Sequence, residues 1–282
     1  MRWATALLLA LCACNQVFDL RSTKAIDARR DFFDAPLDAP YACPATGETP
    51  AFAPLFHQVI VQNCKDYAAS QARHTGIALC DDQYSGNYLL SDGPIDGPLT
   101  EIPGFVDPLW FLQYLRASAD GDELFAMYYS AGYQVRTFRR TTGGWERRPD
   151  FFDTAGYLEF SHPTNGPVRH AMHIDTTGKL LEFTEDAVGN WTQIDSYTAA
   201  QLGIDFPGSP SLSGDGLRLM LYGRPGGGAQ HLAYTDRASL TDRFGPVRRL
   251  EGVPFVRDAM MTDDCSRVYF SGLESIFYVQ RL

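Results

Sequence analysis

The chain has 282 residues, 45% hydrophobic and 21% charged, so it can bury a sizeable core as one large domain or two small ones. Its formal net charge of −10, without a basic stripe, excludes nucleic acid as the expected partner. The one locally basic tract, 136–148, interleaves its arginines with Thr, Gly and Trp and reads as a solvated hairpin face, and the 13% of aromatic residues favours strands.

Residues 1–13 read as a signal peptide: Arg2 precedes an apolar run from Trp3 to Ala13. That run is too short to span a membrane, which takes about 20 residues. It ends in Leu11-Cys12-Ala13-Cys14, which resembles the bacterial lipobox, with Cys14 as the acylated residue and Cys12 as a departure from the usual small residues. The resemblance implies cleavage before Cys14 and anchoring by more than one acyl chain, as stable attachment requires. Asn15, not Asp, follows the lipobox, which implies the outer membrane. Residues 14–42 then form a flexible tether, rich in Ala, Asp, Arg and Pro and without apolar periodicity. Such a chain spans roughly 30 Å r.m.s.. N-termini of this style resemble those of lipoproteins from myxobacteria and related bacteria. The expected location is the cell envelope, as an outer-membrane lipoprotein facing the periplasm or the cell surface.

Residues 43–282 carry a repeat. A rhythm of strand, turn, strand, turn, strand, turn, strand occurs over 66–102, 107–148, 156–197 and 209–250. The turns fall at Gly76, Ser85-Gly86 and Asp96-Gly97; at Ala119-Asp120-Gly121, Ala131-Gly132 and Thr142-Gly143-Gly144; and at Thr164-Asn165-Gly166, Thr176-Thr177-Gly178 and Val188-Gly189-Asn190. Gly and Asn supply the positive φ that tight turns need. Starting points about 40–50 residues apart match the blades of a β-propeller. The last copy, 256–282, has three strands, and the β-rich segment 55–62 has no partner of its own. Together they complete a blade, because an open sheet edge is otherwise left exposed. The expected fold is all-β: a five-bladed β-propeller closed by an N-terminal strand, with a six-bladed ring as the alternative.

The segments 210–223 (PSLSGDGLRLMLYG) and 258–272 (DAMMTDDCSRVYFSG) resemble the WD40-like, TolB-type propeller repeat, with Cys265 standing where that repeat has Gly. The resemblance implies a propeller and no particular reaction, since one fold hosts many activities.

Asp66, Asp107 and Asp258 stand at the entry to the first strand of three copies, and Glu159 lies on the first strand of another. Superposed, they would ring one mouth of the central channel and form a site for a sugar, a cation or an amine. Five-bladed glycosidases of the arabinanase type place their carboxylates in this way, and glycoside hydrolysis needs such a pair. The alternative is that each Asp caps a turn through its own backbone. His170 and His173 are three apart on a strand and point to opposite faces, which argues against a shared metal. The sequence has no Gly-x-Ser-x-Gly elbow, phosphate-binding loop or Cys-x-x-Cys, and no metal, cofactor or catalytic residue is expected. Trp110, Trp145 and Trp191 can stack on sugars or fill the space between blades.

Four cysteines remain beyond the lipobox and allow three pairings in an oxidising compartment. Cys64 and Cys80 flank the first hairpin of the first blade, while Cys265 lies in the first turn of the last blade, close to where Cys43 enters it. The blade order therefore predicts Cys64–Cys80 and Cys43–Cys265. The functional expectation is a monomeric, lipid-anchored binding or scaffold module for an unidentified protein or glycan. The alternative is a carbohydrate-active enzyme using carboxylates at the channel mouth.

Overall fold

A computed structural model describes residues 43, 52, 57–60, 64–81, 88–102, 112–118, 120–129, 133–148, 157–186, 189–224, 226, 228–251, 253, 258–271 and 275–281. The chain divides into Met1–Pro40 and Tyr41–Leu282, and every described residue belongs to the second unit. The lipobox, the tether, Asp107 and Trp110 lie outside the described residues.

Five four-stranded antiparallel sheets follow one another along the chain. Blade 1 contains β2 (Cys64–Ser70), β3 (Thr75–Asp81), β4 (Tyr88–Pro94) and β5 (Thr100–Glu101). Blade 2 contains β6 (Leu112–Ala117), β7 (Glu123–Tyr129), β8 (Tyr133–Thr141) and β9 (Gly144–Arg147). Blade 3 contains β10 (Tyr157–Phe160), β11 (Arg169–Asp175), β12 (Leu180–Glu185) and β13 (Trp191–Tyr197). A one-turn helix, α1 (Ala199–Leu202), leads into blade 4: β14 (Asp205–Leu212), β15 (Arg218–Arg224), β16 (His231–Asp236) and β17 (Arg248–Arg249). Blade 5 contains β18 (Met260–Met261), β19 (Arg267–Ser271) and β20 (Ile276–Gln280), and its outer edge is completed by β1 (His57–Ile60) from the other end of the sequence. First strands of successive sheets lie innermost, and blade 5 packs back on blade 1. The chain is a five-bladed β-propeller.

The blades stack face to face, so their middle strands are covered on both sides. In β15, Arg218, Leu219, Met220 and Leu221 are buried in succession, as expected of a strand with no solvent face. The outer strand β13 is partly or fully exposed from Trp191 to Ser196.

One turn recurs between first and second strands. The hydroxyls of Ser118, Ser213 and Thr262 donate to Asp120, Asp215 and Asp264 at 2.5, 2.6 and 2.8 Å. The same hydroxyls accept the backbone N–H five residues on, at 2.9 to 3.0 Å. Each Asp also accepts the N–H two residues on, which leaves the intervening residue in the left-handed region: Gly121, Gly216 and Cys265, with φ of 70, 70 and 57°. This is the Ser-x-Asp-Gly signature in physical terms, a side-chain turn that fixes hairpin direction. Gly76, by contrast, is not a turn residue. The first turn of blade 1 is 71–74, and His74 supplies its positive φ of 51°. Gly76 lies within β3, where a Cβ would overlap the Tyr67 ring.

These turns link the blades around one face. Arg73 of blade 1 pairs with Asp122 and donates to Asp120 O of blade 2 at 2.8 Å. Arg169 of blade 3 reaches Glu123 of blade 2 at 2.6 Å. The N–H of Asn165 donates to Gly214 O, and that of Gly214 to Asp263 O, both at 3.0 Å. Gln71 donates to Ser266 Oγ at 3.4 Å and completes the circuit from blade 5 to blade 1. His162 of blade 3 reaches past blade 4 to Asp263 of blade 5 at 2.9 Å, so the channel is bridged at this end. Two disulfides add covalent closure. Cys64–Cys80 joins directly opposed residues of β2 and β3, and Cys43–Cys265 ties the N-terminal segment to blade 5 across a sequence separation of 222. Among the described residues no helix is long and apolar enough to cross a membrane.

Candidate functional site at the channel mouth

The opposite mouth is built from a bulge repeated on the innermost strands. The ladder skips one residue between Lys65 and Tyr67, and again between Gln113 and Leu115. The skipped residues, Asp66 and Tyr114, have φ of 54 and 53°; Ser209 and Asp258, at 44 and 57°, hold the corresponding places in blades 4 and 5. Such values strain a residue with a side chain, so the surroundings must hold them. Here the backbone N–H of the strained residue is directed at the preceding blade. Asp66 N donates to Ser271 Oγ and Asp258 N to Ser209 Oγ, each at 3.2 Å, while Ser209 N donates to Glu159 Oε2. These bonds tie blade 1 to blade 5, blade 5 to blade 4 and blade 4 to blade 3 at this end.

Asp66 and Asp258 therefore occupy equivalent places in blades 1 and 5. In blade 2 the residue that matches Asp66 is Tyr114, because the bulge sets the register, and Asp107 lies outside the described residues.

Glu159 on β10 is the centre of the mouth. Its Oε1 accepts from Tyr114 Oη at 2.8 Å and from Tyr222 Oη at 3.1 Å, and its Oε2 takes the Ser209 N–H. Tyr222 reaches it because its β14 partner is Gly208, where a Cβ would overlap the tyrosine ring. Burial pushes the Glu159 carboxyl above its ordinary range; the Ser209, Tyr114 and Tyr222 donors oppose this and Asp258 adds to it. Burial and then the charge of Glu159 raise the Tyr114 phenol, so it stays a donor.

Arg116 on β6 was not foreseen. It is fully buried, donates to Leu115 O at 2.8 Å and to Ala259 O at 3.4 Å, and so ties blade 2 to blade 5. Burial lowers its pKa, and the fields of Asp258, Asp66, Tyr114 and Glu159 oppose that. One buried cation thus stands among the three carboxylates. A lone Arg inside an apolar strand pattern was the available signal, because an Arg so placed must find partners.

The two described tryptophans do not wall this mouth, and Trp110 lies outside the described residues. Trp145 and Trp191 lie on the outer strands β9 and β13, Trp145 with the Arg140 guanidinium 4.5 Å above its ring. His170 and His173 point apart on β11. His170 bonds Glu182, and His173 is buried between Phe160 and Phe183, where burial holds its pKa well below the ordinary value. Among the described residues no cluster of three or more His, Cys, Asp or Glu could hold a metal ion.

No protein-family model matches the chain, and no curated protein matches it in sequence. Solved structures similar to it include TolB from Acinetobacter baumannii, with 13% identity over 78% of this chain and a TM-score of 0.45. The chain spans about half of that protein, 54% of its length. The α-L-arabinofuranosidase from Podospora anserina in complex with cellotriose is similar at 9% identity and a TM-score of 0.49, over 86% of this chain and 95% of that one. The β-propeller domain of the Trilobed protease from Pyrococcus furiosus is similar at 13% identity and a TM-score of 0.41, over 78% and 69%. At such identities the likeness is one of fold alone, and it favours no activity.

Proposed function

We propose that this chain is a lipid-anchored binding or scaffold module of the cell envelope without hydrolytic activity. The observation that carries the binding reading is the state of Glu159. A glycosidase carboxylate must present an oxygen to the glycosidic bond or to water, opposite a second carboxyl group. Both oxygens of Glu159 are taken by donors from blades 2 and 4, so it acts as a strut between blades. The Asp66 and Asp258 carboxylates face the field of Arg116. The two disulfides fit an extracytoplasmic protein. The lipobox at 11–14 supports attachment through Cys14 to the outer membrane.

Two measurements test this. Wild-type protein should partition into detergent with an acylated N-terminal peptide by mass spectrometry, and Cys14→Ser should remain aqueous or accumulate as precursor; an unacylated wild-type protein refutes the anchor. Full-length protein should release no sugar from a panel of aryl arabinofuranosides, xylosides and glucosides. Hydrolysis that is lost in Glu159→Gln would establish the enzyme instead.

A further inference from the structure

The described residues leave four large hydrophobic side chains exposed, and they fall at two places on opposite faces of the ring. Three of them, Val168, Ile194 and Leu240, are 47, 50 and 37% exposed and line one cavity of about 460 Å3 between blades 3 and 4. This is the face of the first turns: a Cβ on Gly216, in the first turn of blade 4, would lie 2.9 Å from Leu240 Cδ2. The fourth, Phe206, is 71% exposed and lies at the other end of blade 4, on the face of the channel mouth.

A bulge puts Phe206 there. Asp205 pairs with Arg224 and Gly208 with Tyr222, so Phe206 and Pro207 stand against Gly223 alone. Phe206 takes a φ of 54°, which strains a bulky residue and which Gly or Asn would hold at less cost. Its ring has the Arg224 guanidinium 5.8 Å away and otherwise stands largely in water. The fold thus keeps a strained aromatic side chain that buries little, which places its use outside its own chain.

The charges match as the apolar groups do. Arg224 is exposed and makes no ion pair among the described residues. At the cavity, Glu182 pairs with Arg237 at 2.7 Å and Asp195 with Arg243 at 3.0 Å. Asp242 also lines it and has no ion pair among the described residues; its Oδ2 accepts from Ser239 Oγ at 2.8 Å. One face therefore offers an aromatic ring beside an unpaired cation. The other offers an apolar-rimmed cavity beside an unpaired carboxylate, and the cavity volume lies within the range of ligand pockets, about 300–1,000 Å3.

We propose that these two surfaces bind each other between copies of this chain: Phe206 of one copy enters the cavity of the next, against Val168, Ile194 and Leu240, and its Arg224 meets Asp242. Unlike faces in contact make a heterologous interface, so the copies join head to tail. The monomer expected from the sequence then gives way to a head-to-tail series. The inference is independent of Glu159 and of the anchor at Cys14.

The test is sedimentation velocity of the full-length protein in non-ionic detergent over a concentration series. Wild-type protein should associate as concentration rises. Phe206→Asn relieves the strained backbone, so it should keep or raise the melting temperature of the monomer while weakening association at least about tenfold, as loss of one buried aromatic side chain implies. Leu240→Lys should weaken association to a similar degree; Ile194→Lys, on the exposed strand β13, takes its place if that variant does not fold. Neither variant should associate alone, yet a mixture of the two should stop at a 1:1 dimer, because one supplies an intact cavity and the other an intact Phe206. Arg224→Glu and Asp242→Lys should each weaken association, by about fivefold, and should restore it when combined in one chain. A wild-type protein that stays monomeric, a Phe206→Asn protein that associates as wild type does, a mixture that stays monomeric, or a combined charge reversal that restores nothing would each overturn the proposal.

Discussion

Two junctions between blades use the same device and differ in what surrounds it. At the junction of blades 1 and 2, Arg140 donates from Nε to Gly121 O at 3.4 Å and from Nη1 to Asp92 at 3.3 Å, with its guanidinium 4.5 Å from the Trp145 ring. At the junction of blades 3 and 4, Arg237 donates from Nε to Gly216 O at 2.9 Å and from Nη1 to Glu182 at 2.7 Å, with its guanidinium 4.4 Å from the Phe244 ring. Each acid lies on the third strand of the preceding blade, and each glycine is the left-handed residue of a Ser-x-Asp-Gly turn. Yet the side chains of the first pair are 24 and 31% exposed, and those of the second 1 and 2%. Backbone register thus sets which residues meet. Neighbouring side chains, here His170 and Tyr197 around Glu182, set the dielectric in which they meet, and with it the energy of the contact.

The largest expected effect is therefore at the buried junction. Glu182→Ala leaves Arg237 and His170 facing a void, and should cost about 3–5 kcal/mol by urea denaturation, as removal of one partner of a buried pair does. A loss below 1 kcal/mol would show that water reaches the pair.

Acid should also weaken this side of the ring. Burial pushes the Glu182 carboxyl up, but the His170 hydrogen bond, the charge and hydrogen bond of Arg237 and the Tyr197 hydroxyl together bring it below its ordinary value. Its contribution is complete above the unfolded carboxyl pKa, about 4.3, and is lost as pH falls through the folded value below that. His173 titrates first. Its folded pKa lies well below the ordinary value, so the unfolded chain takes the proton sooner, and stability declines as pH drops from about 6.5. Glu159 and Glu185 are raised by burial and act in the opposite sense near the carboxyl range. Wild-type stability should thus fall between pH 7 and 5, and His173→Phe should remove most of that slope; an unchanged slope would assign it to other groups.

The smallest effect belongs to the open junction. Asp92→Ala should cost under about 1 kcal/mol, and that cost should vanish in 1 M salt, where screening extends over only about 3 Å. The Glu182→Ala cost should persist there. Equal losses at both junctions would dissolve the distinction.

The blade rhythm was readable because it is local. Ser213, Asp215 and Gly216 complete their turn within a few residues, so composition and spacing carry it. Strand order, and with it the pairing of Cys43 with Cys265, follows once an incomplete last blade has to take its fourth strand from the N-terminus. Gly76 marks the limit of such reading: a glycine that makes room for a ring has the same sequence signature as one that makes a turn.

The sequence by itself determined the all-β class, the propeller rhythm and the closure by an N-terminal strand, and the structure chose five blades over six. Only the tertiary structure decided that Glu159 is held by Tyr114, Tyr222 and Ser209, that Arg116 stands among the carboxylates, and that the exposed hydrophobics Val168, Ile194 and Leu240 surround one cavity. The reason is one of range. A strand's periodicity specifies which face is buried, but the partner of each buried side chain comes from another blade, tens of residues away, and is chosen by the stagger of one sheet on the next.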